Sequence, residues 1–153
     1  MHILHNALHH LRHTRATIPL LALFVFTNIP AHSQDMNSLH GRLSPMPVSA
    51  ATVNTITGEG QVRAILNGNT LNVSGNFQGM SSPATMAHIH LGPKAIPGPV
   101  VLRLDVSSGS SGTISGTLSL SPELVQALHA ESLYVQIHSA GNPEGELRGW
   151  LTH

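Results

Sequence analysis

Two short segments of the sequence carry three histidines in a spacing that suits metal binding. His88 and His90 stand two residues apart in AHIHLGP at 87–93, and His138 lies in YVQIHSAGNPEGELRGWL at 134–151. Both segments alternate apolar and polar residues, as a β-strand with one buried face does. Side chains at i and i+2 share one face of a strand, so the first two imidazoles can reach a single ion. A third imidazole from a neighbouring strand would complete a three-nitrogen site for copper or, otherwise, zinc.

The same alternation predicts which way these histidines face. We expect a surface cluster on the outer face of adjacent strands, away from an aliphatic core. Met86 shares that face and could add a soft thioether ligand for Cu(I). The apolar positions of the two segments have the opposite parity: Ala87, Ile89 and Leu91 in the first, and Leu133, Val135 and Ile137 in the second.

A turn motif joins the last two predicted strands. The sequence Asn-Pro-Glu-Gly at 142–145 has proline and glycine at the second and fourth positions, as a type I turn prefers. We therefore predict that strands 133–138 and 145–151 pair as a hairpin, with Leu147 and Leu151 facing inward.

This hairpin would bring two charged residues to the histidines. Its register places Glu146 near His138, and Arg148 near Gln136 or Tyr134. Glu146 could then be the carboxylate that accepts a hydrogen bond from the second ring nitrogen of a ligand histidine. The structural alternative is that Arg148 forms an ion pair with this glutamate, or with the glutamate of the turn. The histidines themselves could also be solvated or hydrogen-bonded to loop carbonyls without any ion.

Period-two alternation extends over most of the remaining chain and is typical of half-buried antiparallel strands. A short helix at 121–130 interrupts it, with Ser121 as N-cap and Pro122 at the first helical position. We predict an all-β fold, an antiparallel Greek-key β-sandwich or flattened barrel with one short helix. The apolar positions that carry this prediction are Val62, Ala64 and Leu66; Leu71, Val73 and Phe77; Leu102, Leu104 and Val106; and Ile114, Leu118 and Leu120.

The chain divides into three predicted parts. Residues 1–33 are expected to be a secretory signal peptide, since a basic, histidine-rich start leads into an apolar run and then into Ala-His-Ser. That run is shorter than the roughly 20 residues of a spanning helix, which disfavours a membrane anchor. Residues 34–42 are expected to be a flexible arm and 43–153 the β domain. The mature protein would be secreted or periplasmic, with no membrane span.

Composition limits the classes of function. A length of 153 residues suits one domain, and with no cysteine the fold must be stable without disulfides. From residue 34 onward the chain carries five basic and seven acidic residues, so it lacks the basic patch of a nucleic-acid-binding protein. Charge gives no support for membrane-surface binding either.

Taken together, four features resemble the CHRD domain, a module found in chordin and in many secreted bacterial proteins. They are AHIHLGP, GPVVLRLDV at 98–106, the leucine-rich short helix, and YVQIHSAGNPEGELRGWL. The resemblance runs from about Leu43 to Leu151 and implies a secreted all-β domain of poorly defined biochemical function. The family more often has other residues at three positions of this chain: Gln136, Leu91 and Trp150.

A looser resemblance, at the level of the fold, is to copper-zinc superoxide dismutase, which also carries an H-x-H copper pair on a β-strand. That enzyme uses more histidine ligands, a zinc site and a disulfide, and this chain has no cysteine. We therefore favour a secreted binding module that holds one ion through His88, His90 and His138, without catalysis. The alternatives are an extracytoplasmic protein-interaction or adhesion domain with structural histidines, using sheet edges or the 92–99 loop, and a redox enzyme.

Overall fold

Residues 36–153, which the computed structural model describes, form a closed antiparallel β-barrel with one short helix. The predicted signal peptide lies outside these residues. The strands are ordered β1-β2-β3-β6-β5-β4-β7-β8 around the barrel, and β8 pairs with β1 to close it. The barrel form of the predicted all-β fold is confirmed. The elements are β1 Ser38–Pro45, β2 Glu59–Asn67, β3 Thr70–Gln78, β4 Ala84–Leu91, β5 Val100–Val106, β6 Gly112–Ser119, α1 Pro122–His129, β7 Leu133–Ser139 and β8 Leu147–Trp150.

The barrel interior is aliphatic, as the alternation predicts. Every second residue of β2 and β3 points inward, and all of these except Gly75 are buried. Strands β5 and β6 add residues that are buried or packed against the core. The helix begins as expected, because the Ser121 side chain accepts a hydrogen bond from the Leu124 amide. Its Leu128 is fully buried in the core. Among the described residues no helix is long and apolar enough to cross a membrane.

The first strand corrects one prediction about the N-terminal region. Residues 38–42, which we expected in a flexible arm, belong to β1, and Leu39 is fully buried opposite Ala64. At its other end β1 closes the barrel, because Ser44 pairs with Arg148 of β8. Ser- and Pro-rich composition misled the prediction here, since the buried face of this strand has only two apolar side chains, Leu39 and Leu43, with Gly41 between them.

Barrel closure also removes one way of binding a partner. A sheet edge offers unpaired backbone groups to another strand, and a closed barrel has none. Within residues 36–153 each strand has a neighbour on both sides. The described residues therefore contain no free edge strand for the edge-to-edge adhesion that we considered from the sequence.

Strands β4 and β7 lie side by side, and their pairing places the histidines. The predicted hairpin of β7 and β8 is confirmed, with a turn closed by a hydrogen bond from the Gly145 amide to the Asn142 carbonyl, 3.0 Å long. Antiparallel pairing then sets three rows of residues on the outer face: Met86 opposite His138, His88 opposite Gln136 and Arg148, and His90 opposite Tyr134 and Trp150.

Candidate metal centre

His88, His90 and His138 converge on the outer face of the barrel. One ring nitrogen of each lies within 4.8 Å of the others, and His88 Nδ1 is 3.3 Å from His138 Nε2. Ligands about 2.0–2.1 Å from a tetrahedral ion are about 3.4 Å apart, so one pair already has this separation. The others need to shorten by at most about 1.4 Å, which a small rotation of an imidazole supplies.

Two backbone carbonyls orient two of these rings. His138 Nδ1 is 2.8 Å from the Pro143 carbonyl oxygen, and His90 Nδ1 is 3.0 Å from that of Gly98. A carbonyl can only accept, so each Nδ1 carries a proton, and in the neutral ring Nε2 then keeps its lone pair. Metal-binding histidines are commonly held in this way by a partner on the second ring nitrogen. The lone pairs of His90 and His138 are thus fixed in the tautomer that a metal requires.

His90 Nε2 is buried and has no hydrogen-bond partner among the described residues. Leaving a buried polar atom unsatisfied costs about 1–3 kcal/mol. The Gly98 carbonyl engages the other nitrogen of this ring, so Nε2 is the free one, and an ion shared with the neighbouring His88 and His138 would satisfy it. Three imidazole nitrogens suit copper and zinc, and this donor set fits the predicted metals.

Burial of the cluster corrects our expectation of an exposed patch. The histidines do face away from the core, but none is more than 9% exposed. The 92–99 segment and the 140–145 turn supply the carbonyls that contact two of the rings. Parity along a strand predicts the face of a side chain, and it carries no information about loops that cover that face.

An aromatic pair supports the same site from one side. The ring of Tyr134 stacks on His90 with centroids 4.8 Å apart, and it contacts the ring of Trp150 at 4.9 Å. The Tyr134 hydroxyl accepts a hydrogen bond from the Gly98 amide, 3.0 Å long. Trp150 Nε1 donates to the Gly92 carbonyl, so both ends of the 92–99 segment are tied to this aromatic pair. This role was not predicted, although Tyr134 and Trp150 each stand next to an inward-facing leucine in the sequence.

The surroundings keep two of the imidazoles neutral. Burial is the largest cause that lowers the pKa of His88, and the charges of His138, Arg103 and His90 lower it further. Burial also lowers the pKa of His90; the hydrogen bond to Gly98 opposes this, and His138 and Arg148 add to the lowering. Neutral imidazole is the form that binds a metal, so at neutral pH these rings need not lose a proton to do so.

Glu146 does not take the place predicted for it. It is fully buried, and its carboxylate accepts hydrogen bonds from the Ser81 amide at 2.6 Å, from the Thr57 amide at 3.3 Å, and from the side chains of Ser139 and Asn142. Burial alone would raise its pKa, but these hydrogen bonds outweigh it and lower the pKa of this carboxyl. The carbonyl of Pro143, and not this carboxylate, holds His138.

A bulge at the start of β8 explains the difference. The amide of Glu146 donates to the Ile137 carbonyl, while the next residue, Leu147, is also paired with Ile137. Glu146 and Leu147 thus both lie opposite Ile137, which breaks the alternation of the strand. The side chain of Glu146 therefore points in a direction that the alternation does not predict. Gly145, with φ of 124°, precedes the bulge in a conformation that favours glycine.

Arg148 lies opposite Gln136 as predicted, but it forms no ion pair with a glutamate. Its guanidinium carbon lies 4.7 Å from the ring centroid of Trp150 and 5.7 Å from that of Tyr134, in cation–π contact. The ion pair seen within residues 36–153 is a different one, between Arg42 and Glu59, 3.9 Å apart.

Met86 occupies the predicted position beside the cluster. It lies directly opposite His138, and its side chain is 38% exposed, at the edge of the otherwise buried site. That Met86 binds the metal through its thioether sulfur remains a prediction.

Comparison with known proteins finds one family. A model of the CHRD domain matches residues 39–151, which begin in β1 and end directly after β8. Both histidine motifs fall within this range, and the match extends slightly beyond the segment on which the sequence resemblance rests. No curated protein and no solved structure matches the chain. The looser resemblance to copper-zinc superoxide dismutase therefore stays a prediction.

Proposed function

Since this chain belongs to the CHRD-domain family, we propose that it is a secreted metal-binding module. His88, His90 and His138 hold one copper or zinc ion on the outer face of the barrel. The three nitrogens leave one coordination position for another ligand, as in sites with three protein ligands. The module stores or delivers the ion.

One observation carries this proposal. His90 Nε2 is buried without a partner, while the opposite nitrogen of the same ring is fixed by the Gly98 carbonyl. A histidine kept only for packing would be expected to bond through both nitrogens or to face water. Two further imidazoles lie beside this ring, the three ligand atoms being within 4.8 Å of one another, and one of the two is oriented by the Pro143 carbonyl.

Copper is the first choice and zinc the second. Imidazole nitrogens bind both, and divalent copper binds such sites more tightly than divalent zinc. A thioether is a soft ligand, so the position of Met86 opposite His138 favours Cu(I) as the form that is handed over.

Export fits the same role. The predicted signal peptide at 1–33 and the absence of cysteine suit a protein that works outside the cytoplasm, secreted or in the periplasm. There a copper or zinc site built only from histidines is not exposed to thiol oxidation.

The test uses residues 34–153 expressed without the leader. Calorimetry and elemental analysis are expected to show about one tightly bound Cu or Zn ion per chain, and none in the His88→Ala, His90→Ala double variant. The matched control is the double variant His40→Ala, His129→Ala, which removes two exposed histidines. Binding that is equal in the two double variants would refute the proposal.

A second candidate function is protein interaction through the 92–99 loop. Three apolar side chains are exposed in or beside it: Leu91, Ile96 and Val100, with Ile96 exposed by 58%. A partner that binds the histidine double variant normally, and that is lost on Ile96→Ser, would favour this function. Superoxide dismutation has no comparable observation in its favour, and turnover no faster than that of free copper would exclude it.

A further inference from the structure

We propose that the metal-loaded site takes a small monovalent anion of the carboxylate class as its fourth ligand, with Arg148 and Arg103 supplying the charge that attracts it. The inference rests on the proposed function and extends it, because it assigns the open coordination position.

The charge balance of the site is unusual for a metal centre. Its three ligands are imidazoles, which are neutral when they bind a metal, and the other charged groups that act on His88 and His90 are Arg103 and Arg148. Within the described part of the chain no carboxylate is among them. Glu146, which the sequence predicted beside His138, is instead engaged by four donors.

The two arginines lie on opposite sides of the histidines. Arg103 belongs to β5 and is paired with His88, and Arg148 belongs to β8, on the far side of β7. Neither arginine has an acidic partner, since the ion pair of the described residues joins Arg42 and Glu59. Arg103 is exposed, so its guanidinium can turn toward a bound ligand.

Arg148 is held in place by the aromatic pair. Its guanidinium lies over both Trp150 and Tyr134, and the second of these rings stacks on His90. A guanidinium fixed over aromatic rings keeps its full charge and its fork of N–H donors. Such a fork matches the two oxygens of a carboxylate.

A divalent ion bound here would carry its full charge between two further cations. Like charges at such short range repel, and the repulsion is strongest where water is excluded. An anion on the metal removes most of this repulsion and satisfies the arginines at the same time. The same field disfavours a neutral fourth ligand, because water or a neutral amine would leave the charge uncompensated.

The experiment uses Cu(II)-loaded protein in a buffer that does not coordinate copper. Azide is the probe, followed by the absorption of its charge transfer to copper, and acetate is titrated against it. We expect one azide per copper, displaced by acetate. Arg148→Gln and Arg103→Gln are each expected to weaken azide binding by about tenfold, equivalent to about 1.4 kcal/mol. Arg148→Lys should restore part of the affinity.

The controls separate this inference from the proposed function. Arg63→Gln removes an exposed arginine of β2, away from the site, and should leave azide affinity unchanged. Copper content measured first on every variant tests the fold and the histidine site. Copper bound normally, with equal azide affinity in all variants, would overturn the anion site and leave the metal module standing. Azide bound equally without copper would also overturn it, and failure to bind copper would overturn both.

Discussion

The Nδ1 atom of His138 lies 2.8 Å from the carbonyl oxygen of Pro143, five residues further along the chain. This contact joins the β7–β8 turn to the candidate metal centre, because it fixes the proton on Nδ1 and leaves Nε2 facing His88. The turn is itself held by the buried Glu146 and its hydrogen bonds. The conformation of one loop and the tautomer of one ligand are therefore coupled.

Metal should stabilise the folded protein. An ion that binds the native state alone raises the free energy of unfolding by about 2.7 kcal/mol when its free concentration is 100 times Kd. Urea unfolding with and without Zn(II) measures this difference. The gain should disappear in the His88→Ala, His90→Ala double variant and persist in His40→Ala, His129→Ala; a gain of equal size in both would place the ion elsewhere.

Acid should destabilise the metal-free protein below the ordinary histidine pKa of 6.5. The folded state lowers the pKa of His88 and His90, so in this range the unfolded chain binds more protons than the folded one. Stability is then fully present above pH 6.5 and falls as the pH drops toward the folded-state values. Urea midpoints measured from pH 8 to pH 5 test this, and the His88→Gln, His90→Gln variant should show a flatter profile.

Loss of the Glu146 carboxylate should be costly. Glu146→Ala would leave the buried side chains of Ser139 and Asn142 without this acceptor, and each unsatisfied buried donor costs about 1–3 kcal/mol. We expect a loss of about 3 kcal/mol or more in the free energy of unfolding. Glu144→Ala, an exposed change in the same turn, should cost no more than about 0.5 kcal/mol. Similar costs for the two substitutions would show that the buried network is unimportant.

Glu146 should also give a second, more acidic pH transition. Its hydrogen bonds lower the pKa of the carboxyl despite its burial, so its contribution to stability is present above the ordinary value of 4.5 and is lost as the pH falls below it. In Glu146→Gln the fall in the free energy of unfolding below pH 4.5 should become smaller. The fall that begins near pH 6.5, which comes from the histidines, should be unchanged. A variant that loses both falls together would contradict the separation.

Tyr134→Phe should loosen one ligand without removing it. The hydroxyl accepts from the Gly98 amide at 3.0 Å and donates to the Gly98 carbonyl at 3.3 Å, the same carbonyl that orients His90. The phenyl ring keeps the stacking, so the fold should lose about 2 kcal/mol, the usual worth of two hydrogen bonds. Metal affinity measured by calorimetry should fall several-fold, and affinity equal to that of the unmodified protein would show that the Gly98 carbonyl is held by other contacts.

The sequence predicted the strands and the shared face of the histidines because both follow from a period of two. His88 and His90 are two residues apart, and the turn before β8 sets the hairpin register that places Arg148 opposite Gln136. Glu146 departs from the prediction because a bulge interrupts the period just before β8. No residue type in the sequence marks that bulge apart from Gly145.

The burial of the three histidines could not be predicted from the alternation of residues either, for a different reason. The groups that contact His90 and His138 outside the strands are carbonyls of Gly98 and Pro143, and every residue has a carbonyl. Only the path of the 92–99 and 140–145 segments decides which of them approach the rings. The start of β1 was not predicted for a similar reason. Its apolar pattern is short, and these residues form a strand because they pair with β2 and β8.

The most direct test of the metal centre is the anomalous scattering of crystals of residues 34–153 grown with Zn(II) or Cu(II). We predict a single strong anomalous peak about 2.0–2.1 Å from Nε2 of His90, from Nε2 of His138 and from a ring nitrogen of His88. A peak only at the exposed His40 or His129, or no peak at saturating metal, would contradict the account.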